Sequence, residues 1–258
     1  MSTAESHRFY WPSGSPCYEV PSADGKKSVK PTIAHARKGV CVPSVTTVLR
    51  ETLASPGLTR WREENAADAM LATMENQSWD LGVPLTDTDR KHIKEDWQAE
   101  MERRSTSVTD PGKDIHAAVE KHFRGEDMPE EWVPWVTTAV AALKELGCCQ
   151  EWTPEQTIPT HRGYGGRADL CCGNGGYVVD IKTRDFSDPL KVKPYEHEAM
   201  QVSAYGAALG YAAGANLYLS RSDPSLYALR VYEPEEQAEA LANFDRLLAV
   251  FKSIRSIP

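Results

Sequence analysis

The spacing of apolar positions divides the chain into three stretches. Up to about Ser107 the start is irregular, with short β-like pieces within 7–20 and 29–42 interrupted by Pro12, Pro16, Pro21 and Pro31. Ser44, following Pro43, is placed to cap a helix through Val45, Val48 and Leu49. Two more helical stretches are expected near 58–75 and 86–104, the second strongly charged, with Trp79–Pro84 as a break between them. The second stretch reads as the core. Asp110-Pro111 predicts a helix start, Asp as N-cap and Pro in the first helical position. Ile115, Ala118, Val119 and His122 then recur at i, i+3, i+4 and i+7, and the helix stops near Gly125. Another helix from about Glu130 ends at Gly147, a residue suited to a C-terminal cap. Strands near 151–158, 165–172 and 177–183, a helix at about 195–211, and strands near 215–220 and 226–232 follow. The third stretch is a helix over roughly 234–254, with Leu241, Phe244, Leu247, Leu248 and Phe251 on one face. This order predicts an α/β (α+β) fold, a mixed central sheet flanked by helices. An irregular and mainly helical region over 1–107 precedes a core over 108–258.

Composition changes this picture only modestly. The 258 residues are 41% hydrophobic and 26% charged, as in ordinary globular proteins. No apolar run approaches the roughly 18 residues of a membrane span, and the start lacks signal architecture, so a cytoplasmic protein without membrane partners is expected. The net charge of −8 repels phosphate, so any nucleic-acid contact must come from a local basic surface or bound cations. Six cysteines, at 17, 41, 148, 149, 171 and 172, lack C-x-x-C spacing and are expected as reduced thiols. Gly163, Gly165 and Gly166 precede a strand rather than a helix and no G-K-[ST] follows, which excludes a phosphate loop. The absence of G-x-S-x-G removes serine hydrolase chemistry.

The chemistry concentrates between Gly165 and Thr183. Two β-like runs flank Gly173-Asn174-Gly175-Gly176, so a hairpin is the natural reading. Its register sets Cys172 against Tyr177 and, counting back, Asp169 against Asp180, with cross-strand Cβ atoms about 4.5–5.5 Å apart. Two opposed carboxylates repel, and a hard divalent cation is the counter-charge that suits them. Alternation puts Lys182 on the face of Asp180, with Val179 and Ile181 on the other. The plainer reading is a surface checkerboard of diagonal ion pairs, because the same register sets Arg167 against Lys182. His116 sits beside an apolar helical face with Glu120 one turn on, and alone reads as a structural histidine. Gln201 and Tyr205, at i and i+4, share one helical face.

Taken in order, Gly112-x-x-x-His116-x-x-x-Glu120, Gly166-Arg-Ala-Asp169, Asp180-Ile-Lys182-Thr183 and Gln201-x-x-x-Tyr205 resemble the RecB-like branch of the PD-(D/E)XK nucleases, over about residues 112–205. Pro43-Ser-Val-Thr-Thr-Val-Leu49 is similar, less specifically, to the opening segment of mitochondrial-genome-maintenance-type and related phage exonucleases. The resemblance implies a restriction-endonuclease-like core, the N-terminal region covering a DNA channel. It implies that His116, Asp169, Asp180 and the Ile181 carbonyl bind one or two Mg2+ or Mn2+ ions. Lys182 would then orient or deprotonate the attacking water, and Gln201 and Tyr205 would steady the lysine or contact the DNA backbone. Ser44 and Thr46 would grip a phosphate. Arg167 and Arg184, with Arg162, Lys191 and Lys193, give the region a local basic excess for a nucleic-acid strand. Ala168 stands where the family name has Pro. No cysteine follows Cys172, so the iron–sulfur cluster of the CRISPR-associated relatives is not expected. The implied activity is metal-dependent DNA exonuclease action on linear DNA with ends, in recombination, repair or replication. A recombination or single-strand-binding protein is a candidate partner. Exonuclease rather than endonuclease action rests on the resemblance, and oligomeric state is left open. Two alternatives stand beside it: a catalytically silent DNA-binding or assembly protein, and a thiol-based zinc protein that the cysteine spacing disfavours.

Overall fold

A computed structural model describes residues 8–22, 24–53, 56–76, 85–147, 151–174 and 176–258. The chain forms two compact units, Met1–Leu53 with Asp114–Pro258, and Ala54–Lys113. In the first unit, β1 (Phe9–Tyr10), β2 (Val20–Pro21), β3 (Ser28–Val29), α1 (Ile33–Arg37) and β4 (Val42–Pro43) are short, as their prolines dictate. They enclose a small core of Phe9, Cys17, Val20, Ala36 and Cys41. Ser44 then caps α2 (Val45–Thr52), its hydroxyl accepting from the Thr47 amide at 3.0 Å.

The second unit holds α3 (Pro56–Asn76) and most of α4 (Asp87–Arg124), whose residues from Asp114 onward belong to the first unit. Within the second unit the Trp97 indole donates to the Ala66 carbonyl at 3.0 Å. The Asp110-Pro111 start expected from sequence is not a start: α4 runs through Pro111. An interior proline removes one amide donor and sets its ring against the carbonyl one turn back, a cost of about 3 kcal/mol that α4 bears at this position. The break expected at Trp79–Pro84 lies outside the described residues. So does Gly175 of the hairpin turn.

After Gly125, at φ +70°, a 3-10 turn over Glu130–Trp132 leads into α5 (Val133–Lys144). Then come β5 (Thr153–Thr157), β6 (Arg167–Cys172), β7 (Tyr177–Arg184), α6 (Glu196–Leu209), β8 (Ala213–Ser220), β9 (Tyr227–Tyr232) and α7 (Pro234–Arg255). The five strands make one mixed sheet in sequence order. All its pairings are antiparallel except β7 with β8, which the α6 crossover joins in parallel. The expected α+β class, a mixed sheet flanked by helices, is the one observed.

Each face of the sheet has its own core. On one, Cys171 and Val178 pack with Val45 and Val48 of α2, Val202 of α6 and Phe244 of α7. On the other, Leu170, Val179, Ile181 and Leu217 pack with Ile115 and Val119 of α4 and Val136 and Leu143 of α5. Among the described residues no helix is long and apolar enough to cross a membrane. The reduced-thiol expectation fails at Cys172, which is disulfide-bonded, while Cys17, Cys41 and Cys171 are free.

Phe244 is fully buried and meets the Tyr164 ring edge-on at 5.0 Å. Phe244→Ala removes the central plug of α7 against the sheet. It is expected to lower unfolding free energy by about 3–5 kcal/mol in urea denaturation, with the far-ultraviolet spectrum retained.

Candidate functional site

The β6–β7 register is the expected one, pairing Cys172 with Tyr177 and Leu170 with Val179. The ladder ends there. One residue on, the Asp169 carboxylate accepts from the Ile181 amide at 2.7 Å, so a side chain takes the donor that a longer ladder would use. The checkerboard does not form. Lys182 pairs with Asp180 of its own strand at 2.8 Å, and Arg167 pairs with Glu155 of β5.

Cross-strand register extends the acidic pair into a row. Gln156 pairs with Ala168 and Pro154 with Leu170, which sets Glu155 opposite Asp169. On the other side Asp180 pairs with Asn216, and Asn216 with Arg230. Asp180, Asn216 and Arg230 are thus consecutive partners on β7, β8 and β9, and counting on from the flanking pairs brings Asp169 and Glu155 to the same level on β6 and β5, where the ladders are interrupted. Sequence reading missed Glu155 and Asn216, since their alignment depends on pairings made between distant strands. Glu155 carries one available signal after the fact: its φ is +54°, a left-handed conformation costing a non-glycine residue on the order of 1–3 kcal/mol.

A cleft of about 190 Å3 opens over Glu155, Asp169 and Asp180. His116, Asp169, Asp180, Ile181, Lys182, Gln201 and Tyr205 all line it, as do Ser44, Thr46 and Arg167. His116 comes from α4, its Nδ1 3.7 Å from Asp169 Oδ2. The α2 cap reaches the site because Gly165 clasps its start: Gly165 donates to the Pro43 carbonyl, and the Val45 amide donates to Gly165, both at 2.9 Å. A Cβ on Gly165 would stand 2.5 Å from the Tyr10 side chain, and one on Gly166 2.4 Å from the Tyr205 ring. The glycines that precede Arg167 are therefore clearance for two tyrosines. Ser44 is buried, its hydroxyl engaged as the α2 cap and 3.0 Å from the Thr46 hydroxyl, which is half-exposed.

Asp180 is the most enclosed charge in the cleft. Its Oδ1 accepts from the Gln201 amide at 2.8 Å, and its Oδ2 from Lys182 and Asn216, each at 2.8 Å. Neighbours fix both amides: Gln201 Oε1 accepts from Lys182 at 3.2 Å, and Asn216 Oδ1 accepts from the Tyr232 hydroxyl at 2.6 Å. Gln201 also donates to the Tyr205 hydroxyl at 3.2 Å. The α6 spacing explains this, since Gln201 and Tyr205 lie one turn apart over β7.

Burial pushes the Asp180 carboxyl up to about 6, against the pull of the Lys182 ammonium. Asp169 is also raised by burial. His116 is driven down to about 4 by burial, so its imidazole is neutral at neutral pH and able to act as a ligand. Burial, the largest single influence, pulls Lys182 down, and Asp180, Asp169 and Glu198 together turn the net direction upward. Glu155 rises to about 7, first by burial.

Two carboxylates, a neutral imidazole and the Ile181 carbonyl are the donor types a hard divalent cation takes. Asp180 Oδ1 accepts one hydrogen bond and has a lone pair left for an ion. Among the described residues no group of three or more His, Cys, Asp or Glu side chains is already gathered around one point. The donors stand as pairs.

The expected basic excess is largely matched by acids. Arg162 pairs with Asp245, Arg167 with Glu155, Arg184 with Glu198, and Lys191 with Asp188. Arg184 lies outside the cleft, lining a neighbouring one with Lys191 and Lys193.

No model of a known protein family matches the chain. No curated protein matches it either. Among solved structures it is similar to SSO0001, at 16% identity and a TM-score of 0.33, over 72% of this chain and 85% of that one. It is also similar to an alkaline exonuclease (LHK-Exo) from Laribacter hongkongensis, at 15% identity and a TM-score of 0.36, over 56% of this chain and 81% of that one. At those scores neither likeness decides a function, and the reading below rests on the chemistry of the cleft.

Asn216→Ala removes one donor from an ionised, buried carboxylate. It is expected to cost about 1.5–3 kcal/mol at pH 8, shrinking below about pH 5 where Asp180 is protonated, as read by urea unfolding at both pH values. Lys182→Met removes the charge that restrains Asp180. Carbon-13 NMR of labelled aspartate in metal-free protein should place the Asp180 titration near 6 in the wild type and higher in the variant.

Proposed function

We propose that the chain is a deoxyribonuclease dependent on Mg2+ or Mn2+, hydrolysing phosphodiester bonds from the ends of linear DNA in recombination, repair or replication. The observation that carries this reading is the meeting of Asp169, Asp180, Lys182 and His116 in one cleft with Arg167 at its side. The motif order of the sequence supports the same reading, and exonuclease rather than endonuclease action rests on that order alone.

Asp169, Asp180, His116 and the Ile181 carbonyl would hold the cation. When bound, it supplies a water of lowered pKa and polarises the phosphoryl oxygen. The remaining work falls to the chain. Lys182, with its pKa raised by Asp180, acts as an ammonium: it orients the attacking water by donation and offsets the negative charge that grows on the phosphoryl oxygens. It is not the base. Gln201 fixes that ammonium and Asp180 together, so a loose, rotatable lysine becomes a positioned donor. Tyr205, held neutral by burial, backs the Gln201 amide. Arg167 exchanges its Glu155 partner for a substrate phosphate, a swap favoured because Glu155, raised to about 7, gives up its charge readily.

End-labelled linear DNA with Mg2+ or Mn2+ tests the reading. Asp180→Asn and Lys182→Ala are each expected to lose on the order of 100-fold or more in rate, and EDTA to stop the wild type. Circular DNA should be spared. Equal degradation by all three proteins, or degradation that persists in excess EDTA, removes the proposal. Binding of DNA by a wild type that never cuts it would leave the catalytically silent module instead.

A further inference from the structure

Beyond the cleft, the loop from β7 to α6 carries a column of planar groups. The Arg184 guanidinium lies over the Tyr218 ring at 4.8 Å and over the Tyr195 ring at 4.2 Å. The Tyr195 ring in turn stacks on the His197 imidazole, centroids 5.6 Å apart and planes 11° off parallel. A single buried carboxylate holds the base of this column. Glu198 pairs with Arg184, accepts the Tyr218 hydroxyl at 2.8 Å and accepts the Tyr195 amide at 2.8 Å. Arg184 also donates to the Lys193 carbonyl at 2.8 Å. The guanidinium is therefore locked in place, its charge matched, and it serves as the filling between two aromatic rings.

What this locked base supports is exposed. Tyr195 is 59% accessible and His197 is exposed as well. Burial against the cluster lowers the imidazole from its ordinary range, so it is an uncharged ring at neutral pH. Aromatic rings held open to water by a buried ion pair do not add to the core, which leaves their outward surface to be accounted for. Position supplies the account. His197, Gln201 and Tyr205 fall at i, i+4 and i+8 on α6, one stripe of the helix. Gln201 and Tyr205 line the catalytic cleft, and His197 stands one turn before them on the same stripe, exposed where they are buried.

We propose that the outward face of His197, backed by Tyr195, forms a stacking platform for an unpaired nucleobase of the strand whose phosphate enters the Asp169–Asp180 cleft. This rests on the nuclease reading and deepens it, since it commits the substrate at this point to single-stranded form. Every base has a flat face, so the platform grips without reading sequence. Lys191 and Lys193, lining the cleft beside Arg184, are placed for the adjoining backbone phosphates.

Fluorescence anisotropy of the full chain in EDTA, where no cutting occurs, tests this with a labelled oligothymidylate and an abasic oligonucleotide of the same length. His197→Ala and Tyr195→Ala are expected to weaken oligothymidylate binding about ten-fold each and to leave abasic binding unchanged. His197→Phe should retain wild-type binding, and the salt dependence should stay the same in all variants because no charge is lost. Equal affinity of the wild type for the two oligonucleotides, no detectable binding of either, or alanine variants that weaken both alike would each overturn the platform. Cleavage of linear DNA, measured separately, keeps the two ideas apart. A wild type that cuts but ignores bases sinks the platform alone, and one that binds bases but never cuts sinks the nuclease reading alone.

Discussion

A carboxylate in the middle of a β-sheet loses several kcal/mol of hydration, and the chain must return that through directed donors. Asp180 is that carboxylate here. Its partners come from three separate places: Lys182 from its own strand, Asn216 from the neighbouring parallel strand and Gln201 from the helix that crosses between them. None of these can move without uncovering the charge. Tyr232 and Tyr205 extend the same network outward by fixing the two amides. The cleft's geometry is therefore a by-product of solvating one buried anion with protein groups in place of water. Such preorganisation is what a site of this kind needs, because donors already aimed do not have to reorganise during reaction.

The same constraint sorts the remaining charges. Asp169 turns to the Ile181 amide and ends a strand ladder in doing so. Arg167, which lines the same cleft as Lys182, pairs instead with Glu155 of β5. Glu198 does for the β7–α6 loop what Asp180 does for the cleft, gathering a guanidinium, a phenol and a backbone amide around one enclosed carboxylate. Two buried anions thus organise two neighbouring regions beside one helix, α6, which carries Glu198 itself and reaches Asp180 through Gln201.

How much of this was readable from sequence follows from how local each determinant is. The β6–β7 register needs only the turn and the period of two, so the pairing of Cys172 with Tyr177 followed directly. Strand and helix placement through β5–α7 likewise depends on short-range pattern, and it matched to within a few residues. Asn216 and Glu155 were invisible for the opposite reason. An asparagine in a buried strand and a glutamate beside a proline acquire meaning only once β8 and β5 are set against Asp180 and Asp169. Asp110-Pro111 misled because the dipeptide suits a helix start, and the helix instead runs on through a proline that local rules disfavour. Basic residues could be counted from sequence, but not that acids neutralise most of them. The paired glycines 165 and 166, which the sequence already excluded as a phosphate loop, prove to be room for Tyr10 and Tyr205, a fact only packing reveals.

The parallel seam between β7 and β8 ties the cleft to the far side of the sheet. The hairpin carrying Asp169, Asp180 and Lys182 is a local pairing, whereas Asn216 lies 36 residues along the chain from the Asp180 carboxylate it donates to and meets it only through that seam. A chain with the hairpin intact but the seam broken would keep its acids side by side without the β8 amide that helps to aim them.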